Sequence, residues 1–345
     1  MKIFRKHIFL MTGIVMAAIL LVVVLSWSAL QPIKKNKGFS RVFSIEAIKQ
    51  ISVMEKKADI IDFAGYTENH LYFKTKRPDT ILVIDNDLKN IKSIFLKVPD
   101  DRSIYSRFTS VVDSPYVHIL AGNTPAIITG KLEGDVSVHR FPNTLFTRVA
   151  LISGNLFALR MVDKTDQIFA KANPLTGQVT KENNVSEKNH DAGISTDGVL
   201  HYDKASNFLV YVYHYKNEIL LMDTGLNVIN KVKTVDINTS SEIIAGDVKS
   251  KSIITNLTPK RVLNAVSCVW GGSLYNNSRV FSDNEAAETV TQNSVIDVYN
   301  IKDGSYQKSF YIPNYKGQKV NKFKVVHDKV FAIYKDFVVA YNIAF

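Results

Sequence analysis

Cysteine is nearly absent from this chain: Cys268 is the only one among 345 residues. No intramolecular disulfide can form, so the fold has to rest on its core rather than on covalent staples. Cys268 sits in the apolar run from Ala265 to Trp270 and reads as a small core side chain. A lone cysteine does not decide the redox compartment, since bacterial periplasmic proteins often carry none. Catalytic glycine patterns are missing as well. There is no Gly-x-Ser-x-Gly nucleophile elbow, no P-loop and no Rossmann fingerprint. The eight histidines include no His-Glu-x-x-His spacing and no compact ligand grouping. Clustered positive charge is lacking too. The net charge is +11 and the pI about 9.4, yet lysine and arginine are scattered, with no basic helix and no aromatic-basic RNA-binding signature. No nucleic-acid partner is expected. A soluble basic surface, close to anionic lipid, accounts for the charge.

What is present starts at the N-terminus. Residues 1–7 are polar and basic (Lys2, Arg5, Lys6) and read as a cytoplasmic n-region. From Ile8 to Leu25 no residue is charged, and apolar character continues weakly to Leu30. About 18 such residues are enough to cross a bilayer as a helix, so residues 8–30 are expected to form an uncleaved transmembrane signal-anchor. A cleaved signal peptide competes, with small residues at Ser26 and Ser28, although the run exceeds the usual h-region of about 7–15. A lipoprotein is excluded because no cysteine lies near enough to acylate. Lys34, Lys35, Lys37 and Arg41 follow the segment as closely as the basic residues precede it, so the positive-inside rule is nearly balanced. The expected address is a bacterial inner (cytoplasmic) membrane, crossed once, with the large domain in the periplasm. That placement rests on the habit of signal-anchors to export the domain on their C-terminal side. Residues 31–39 form a polar tether, and residues 40–345 the folded domain.

The domain repeats one phrase. Around Phe208–Asp236, β-rich runs alternate with tight turns at Lys216-Asn217 and at Thr224-Gly-Leu-Asn227, the signature of a strand meander. Six runs can be set in register as the third strand of each copy: Ile81–Asp85, Ile127–Lys131, Ile168–Asn173, Ile219–Asp223, Val295–Asn300 and Val338–Asn342. Five of them end in Asp or Asn, opening a turn that often holds glycine. Their last residues are spaced by 46, 42, 50, 77 and 42. A four-stranded propeller blade takes about 40–45 residues, so the spacing predicts six blades in a ring. The sixth copy is one strand short. The segment Phe39–Glu46 is expected to supply the missing outer strand, which removes exposed sheet edges. Residues 45–57 read as a short helix or, from their alternation, as a strand.

Over Ser294–Pro313 and Gly198–Asp236 especially, the chain resembles six-bladed β-propeller proteins of the TolB-like and NHL-like group, in particular membrane-anchored forms of the Bacteroidetes. The resemblance covers residues 40–345. It implies an all-β, six-bladed propeller preceded by one N-terminal transmembrane helix. It leaves function open between ligand-binding scaffolds, protein-docking modules and a minority of enzymes. Propeller lactonases and esterases of that kind hold calcium at the channel mouth.

The long connections at Lys181–Asp191, Asp236–Lys260 and Asp283–Asn293 fall between blades or between the second and third strands of a blade. In a propeller these open on one face, and long structureless loops there point to a binding surface. Candidate ligand-binding residues on that face are Arg160, His190, Asp191, His214, Asp283, Asn284 and Glu285. Arg160, His214 and Tyr215 are expected near the channel mouth. His190-Asp191 offers a ligand or base, against the plainer reading of a solvated loop. Asp283-Asn284-Glu285, followed by Glu288, has the oxygen density a calcium ion needs but not the order of an EF-hand loop; a solvated loop is the alternative. No cofactor is otherwise expected. The leading expectation is a membrane-anchored propeller that binds a protein or peptide partner, or a small ligand, without catalysis. The rival is a calcium-dependent hydrolase or lyase acting on a sugar or lactone.

Overall fold

The computed structural model describes residues 2–30, 38–44, 48–56, 59–182, 184–237, 245–248, 253–256 and 262–343. Side chains are described there except at 2–10, 26–30, 102, 105, 245–248 and 253–256. Helix α1 (Lys2–Leu30) precedes the domain. Its described side chains, residues 11–25, are exposed and uncharged. Among the described residues no helix is long and apolar enough to cross a membrane. The anchor expected over residues 8–30 is therefore not borne out there, and the tether residues 31–37 lie outside the described residues.

After strand β1 (Lys49–Glu55) the chain builds antiparallel meanders of four strands. The first is β2 (Asp62–Tyr66), β3 (His70–Lys74), β4 (Thr80–Asp85) and β5 (Ile91–Phe95). A short helix α2 (Arg102–Ser106) leads to the second, β6 (Thr109–Asp113), β7 (Tyr116–Ala121), β8 (Ala126–Lys131) and β9 (Val136–Arg140). The third is β10 (Phe146–Ser153), β11 (Leu156–Asp163), β12 (Asp166–Asn173) and β13 (Gln178–Glu182). The fourth is β14 (Gly198–Asp203), β15 (Phe208–Tyr213), β16 (Glu218–Met222) and β17 (Val228–Lys233). A two-stranded ribbon, β18 (Ala245–Val248) with β19 (Ile253–Asn256), stands before the fifth. That one is β20 (Asn264–Trp270), β21 (Ser273–Ser278), then helix α3 (Ala287–Gln292), β22 (Asn293–Asn300) and β23 (Tyr306–Pro313). The sixth is β24 (Lys322–Val326), β25 (Lys329–Ile333) and β26 (Phe337–Asn342), completed by β1 from the start of the domain.

The Asp or Asn that ends a third strand has a physical task. Asp85 accepts the backbone N–H of Lys89 at 2.8 Å, and Asp223 that of Asn227 at 2.8 Å. Asn173 accepts from Leu175 at 3.0 Å, and Asn300 from Lys302 at 2.8 Å. Each side chain holds the turn into the outer strand, as Asx residues do. The repeat marker is thus a turn-closing device.

Packing closes the circle. Six apolar clusters lie one at each junction between successive meanders, and the last joins the sixth back to the first through Phe331, Ile333, Leu71 and Phe73. Second strands such as β7 and β15 are buried on both faces, which explains their near-continuous apolar sequence. The first strands β2 and β6 share a parallel bridge at Gly65 and Val112. A Cβ at Gly65 would lie 2.2 Å from the Val112 carbonyl oxygen, so only glycine fits.

The closing strand is not where the sequence placed it. Residues 39–44, the described part of that segment, do not pair with β26; the alternating segment β1 does, from Lys49 opposite Asn342 to Glu55 opposite Phe337. The earlier residues are drawn to the fifth meander instead. Phe43 bridges Ser309 in parallel and stacks on Tyr311 at 4.7 Å.

Candidate functional site

The expected site residues fall into three places. Arg160, on β11, is fully buried and pins the connection before β14. Its guanidinium donates to Gln167 Oε1 at 2.7 Å, Gly193 O at 2.9 Å, Thr196 Oγ1 at 2.8 Å and Asp197 Oδ1 at 3.2 Å. His190 and Asp191 belong to that connection. His190 is exposed, with φ +53°, and its backbone N–H is held by Asp166 at 2.9 Å. Asp191 is buried and accepts the Ser195 N–H at 2.8 Å. These contacts shape a loop.

Asp283, Asn284 and Glu285 lie against the segment that precedes β1. Asp283 accepts the Gly38 N–H at 2.7 Å. Asn284 accepts from Arg41 N at 3.0 Å and donates to Arg41 O at 2.8 Å. Glu285 pairs with the Arg41 guanidinium, accepts the Tyr311 hydroxyl at 2.8 Å and accepts the Ser282 N–H at 2.9 Å. Asp297 of β22 takes the other edge of the guanidinium at 2.7 and 3.1 Å and the Ser309 hydroxyl at 2.5 Å. Burial pushes the Asp297 carboxyl up against the pull of Arg41. Of the oxygens that suggested calcium here, Asp283 Oδ2, Asn284 Oδ1 and both Glu285 carboxylate oxygens accept hydrogen bonds from the chain itself. Among the described residues no group of three or more His, Cys, Asp or Glu could hold a metal ion.

Only His214 of the expected residues lines the central space. That space is a cavity of about 1040 Å³ bounded by the first strands of all six meanders. Strand direction sorts its lining by height. The first strands begin on the face where the long connections emerge, so Asp62, Arg107, Arg148 and Lys322 form that rim together with Lys74. Rim pairs join neighbouring meanders: Lys322 to Asp62 at 3.0 Å, and Arg148 to Asp197 at 2.8 and 2.9 Å. At the opposite end the contacts skip a meander. Lys204 of the fourth reaches Asp113 of the second at 2.7 Å, and Tyr66 of the first meets Trp270 of the fifth edge-on at 5.1 Å. Those spans make a floor. Among the described residues no hydrogen bond or ion pair crosses the loop-rich end in this way, which gives the cavity the form of a cup.

Halfway down, His201 bonds Ser267 at 2.8 Å. Burial, with Lys324 and Lys322 nearby, pushes the His201 imidazole down to about 3. It is therefore neutral at physiological pH. Burial likewise lowers His214, whose Nδ1 lies 2.7 Å from the Asn264 carbonyl oxygen. The lining holds six lysine and arginine side chains (74, 107, 148, 204, 322, 324) against three aspartates (62, 113, 203). Reading the sequence by third strands overlooks these positions. The available signal is the polar and basic residues within first strands, as in Lys322-Phe-Lys-Val-Val326 and Phe146-Thr-Arg-Val149.

No protein-family model and no curated protein matches the chain. Solved structures do resemble it. A member of the DUF4221 family from Bacteroides vulgatus superposes with a TM-score of 0.54 at 14% identity, over 89% of this chain and 98% of that one. The Pan2 WD40 domain of Neurospora crassa gives 0.50 at 9% identity, over 88% and 97%. At such identities the likeness shows the fold alone: an all-β propeller, as the repeats imply.

Proposed function

We propose that this protein is a non-catalytic, six-bladed propeller that binds its partner, a protein or peptide, over the open mouth of the cup. The observation that carries this is the asymmetry of the cavity. One end is bridged by Lys204–Asp113 and Tyr66–Trp270, and the other opens where the connections around 183–197 and 279–292 emerge. Most of the third expected connection, 236–260, lies outside the described residues. A concave site rimmed by loops on a rigid ring is how propellers usually present a binding surface. The rival reading, a calcium-dependent hydrolase or lyase, loses its motive because the Asp283–Glu285 oxygens are engaged by residues 38–41 and by Ser282 and Tyr311.

A photo-cross-linker at exposed Lys188, on the loop-rich face, is expected to give a discrete adduct in cells. The same group at Leu175, exposed in the opposite-face turn after β12, is expected to give none. Equal labelling from both sites would refute the proposal.

The same reading keeps the protein at the bacterial inner membrane with the ring in the periplasm. It rests on the charge-free run from Ile8 to Leu25 and on the exposed apolar side chains of α1 from Met11 to Leu25. Resistance to alkaline extraction, together with protease sensitivity of the ring in spheroplasts, is the expected outcome. Release into the soluble fraction would overturn it.

A further inference from the structure

The charges in the cup are not balanced in place. Lys322 has Asp62, Arg148 has Asp197 and Lys204 has Asp113. Three cations remain. Among the described residues no carboxylate pairs with Lys324, Lys74 or Arg107. Lys324 is half-buried in the wall; its Nζ lies 3.4 Å from the Val269 carbonyl oxygen and 5.4 Å from the centre of the Tyr66 ring. Lys74 donates to the Phe108 carbonyl oxygen at 2.5 Å and lies 4.5 Å over the Phe108 ring. Arg107 is exposed at the rim.

These groups feel one another. Burial lowers the Lys74 ammonium, and Lys322 and Arg107 lower it further despite Asp62. After burial, Lys324 and Lys322 are what depress His201. Like charges held together in a recess of reduced dielectric raise the free energy of the empty state. An anion that enters removes that repulsion. Below Lys324 the wall carries Tyr66, Trp270 and Val269, beside Asp203 and the Lys204–Asp113 pair. A volume of about 1040 Å³ accommodates a molecule of drug size.

We infer that the cup is a binding site for a small organic oxyanion, a carboxylate or phosphate attached to an apolar or aromatic body. Lys324 holds the charged group, Lys74 and Arg107 attract it at the rim, and Tyr66 and Trp270 receive the body. The inference rests on the reading of the protein as a binding module and names what fills the cup beneath its mouth.

The test uses the full-length chain with Trp27→Phe, which leaves Trp270 as the only tryptophan. It uses 4-nitrophenyl phosphate as the anionic aromatic probe and 4-nitrobenzamide as its neutral counterpart. The phosphate is expected to quench Trp270 fluorescence saturably, with affinity falling as salt is raised. The benzamide is expected to bind at least tenfold more weakly. Lys324→Met should weaken the phosphate tenfold or more, while Lys302→Met, on an exposed turn, should change it less than twofold. Equal binding of the two probes, or an unchanged affinity in Lys324→Met, overturns the inference and leaves the binding-module reading standing. Release of 4-nitrophenolate, lost in Lys324→Met, would support the anion site while sinking the non-catalytic reading.

Discussion

Two clusters of charge in this molecule are built from the same residue types and stand in opposite conditions. Around Arg41 every charge has its partner. Glu285 and Asp297 share the guanidinium, and Ser282, Ser309, Tyr311 and the Val280 carbonyl complete the bonding. The side chains of Arg41 and Glu285 are wholly buried, and nothing further can enter. In the cup, lysines and arginines outnumber aspartates, and the space between them is open. A saturated cluster joins parts of a fold; an unsaturated one, facing a cavity, awaits a ligand. Charge density alone does not separate the two cases. The partners do.

The largest effect that could break this contrast comes from Arg41. Arg41→Met strips the counter-ion from two buried carboxylates, and denaturant unfolding is expected to show a loss of about 3–5 kcal/mol. A loss under about 1 kcal/mol would mean that the cluster does not fasten residues 38–44 to the ring.

Acid comes next, through a third kind of polar group. His118 is 1% exposed, both its ring nitrogens lack a hydrogen-bond partner among the described residues, and its ring meets Phe157 edge-on at 5.1 Å. Burial pushes its imidazole down to about 4 from the ordinary 6.5. Between those values the unfolded chain binds a proton that the folded one refuses. The stability His118 contributes is therefore full above pH 6.5 and is lost as pH falls toward 4, by roughly 3 kcal/mol. His118→Phe is expected to flatten that part of the melting profile, and an unchanged profile would exclude His118 as its source.

Smaller effects sharpen the comparison from the other side. A chelator, or added calcium, is expected to move the melting temperature by less than about 2 °C, because Asp283–Glu285 already have their partners; a shift beyond that, on the order of 1 kcal/mol, would signal a bound cation. Smallest of all is the effect of Lys324→Met on stability. Removing an unpaired cation beside a cavity should change unfolding by no more than about 0.5 kcal/mol, or raise stability slightly. A loss like that of Arg41→Met would show that Lys324 is structural and that the two clusters are alike.

The ring was legible in the chain because each third strand ends in a side chain that folds its own turn, as Asp85 and Asp223 do. Such a signal is local and survives alignment by eye. The clasp was legible in kind but not in position. Phe39–Glu46 and β1 are both strand-like, and the choice between them is made by Asp297, 256 residues from Arg41. The Asp283–Glu285 oxygens misled for the same reason, since Gly38 and Arg41, two of the residues that donate to them, come from the far end of the domain. The cup was least legible. Its lining takes three to six residues from each of six first strands, and only the closed ring brings them together.

The position of β1 also sets an order of events. The strand is made early, but its partner β26 emerges only after five other meanders have been synthesised. Until then β1 has no edge to pair with, and Arg41 meets its carboxylates Glu285 and Asp297 only once the fifth meander has been made. Contacts of such separation are slow to form and leave strand edges open while they wait. A chain emerging from its ribosome thus carries an unfastened ring for nearly its whole synthesis. Its interval of greatest exposure to misassembly, and its greatest need of a chaperone, falls just before β26 appears.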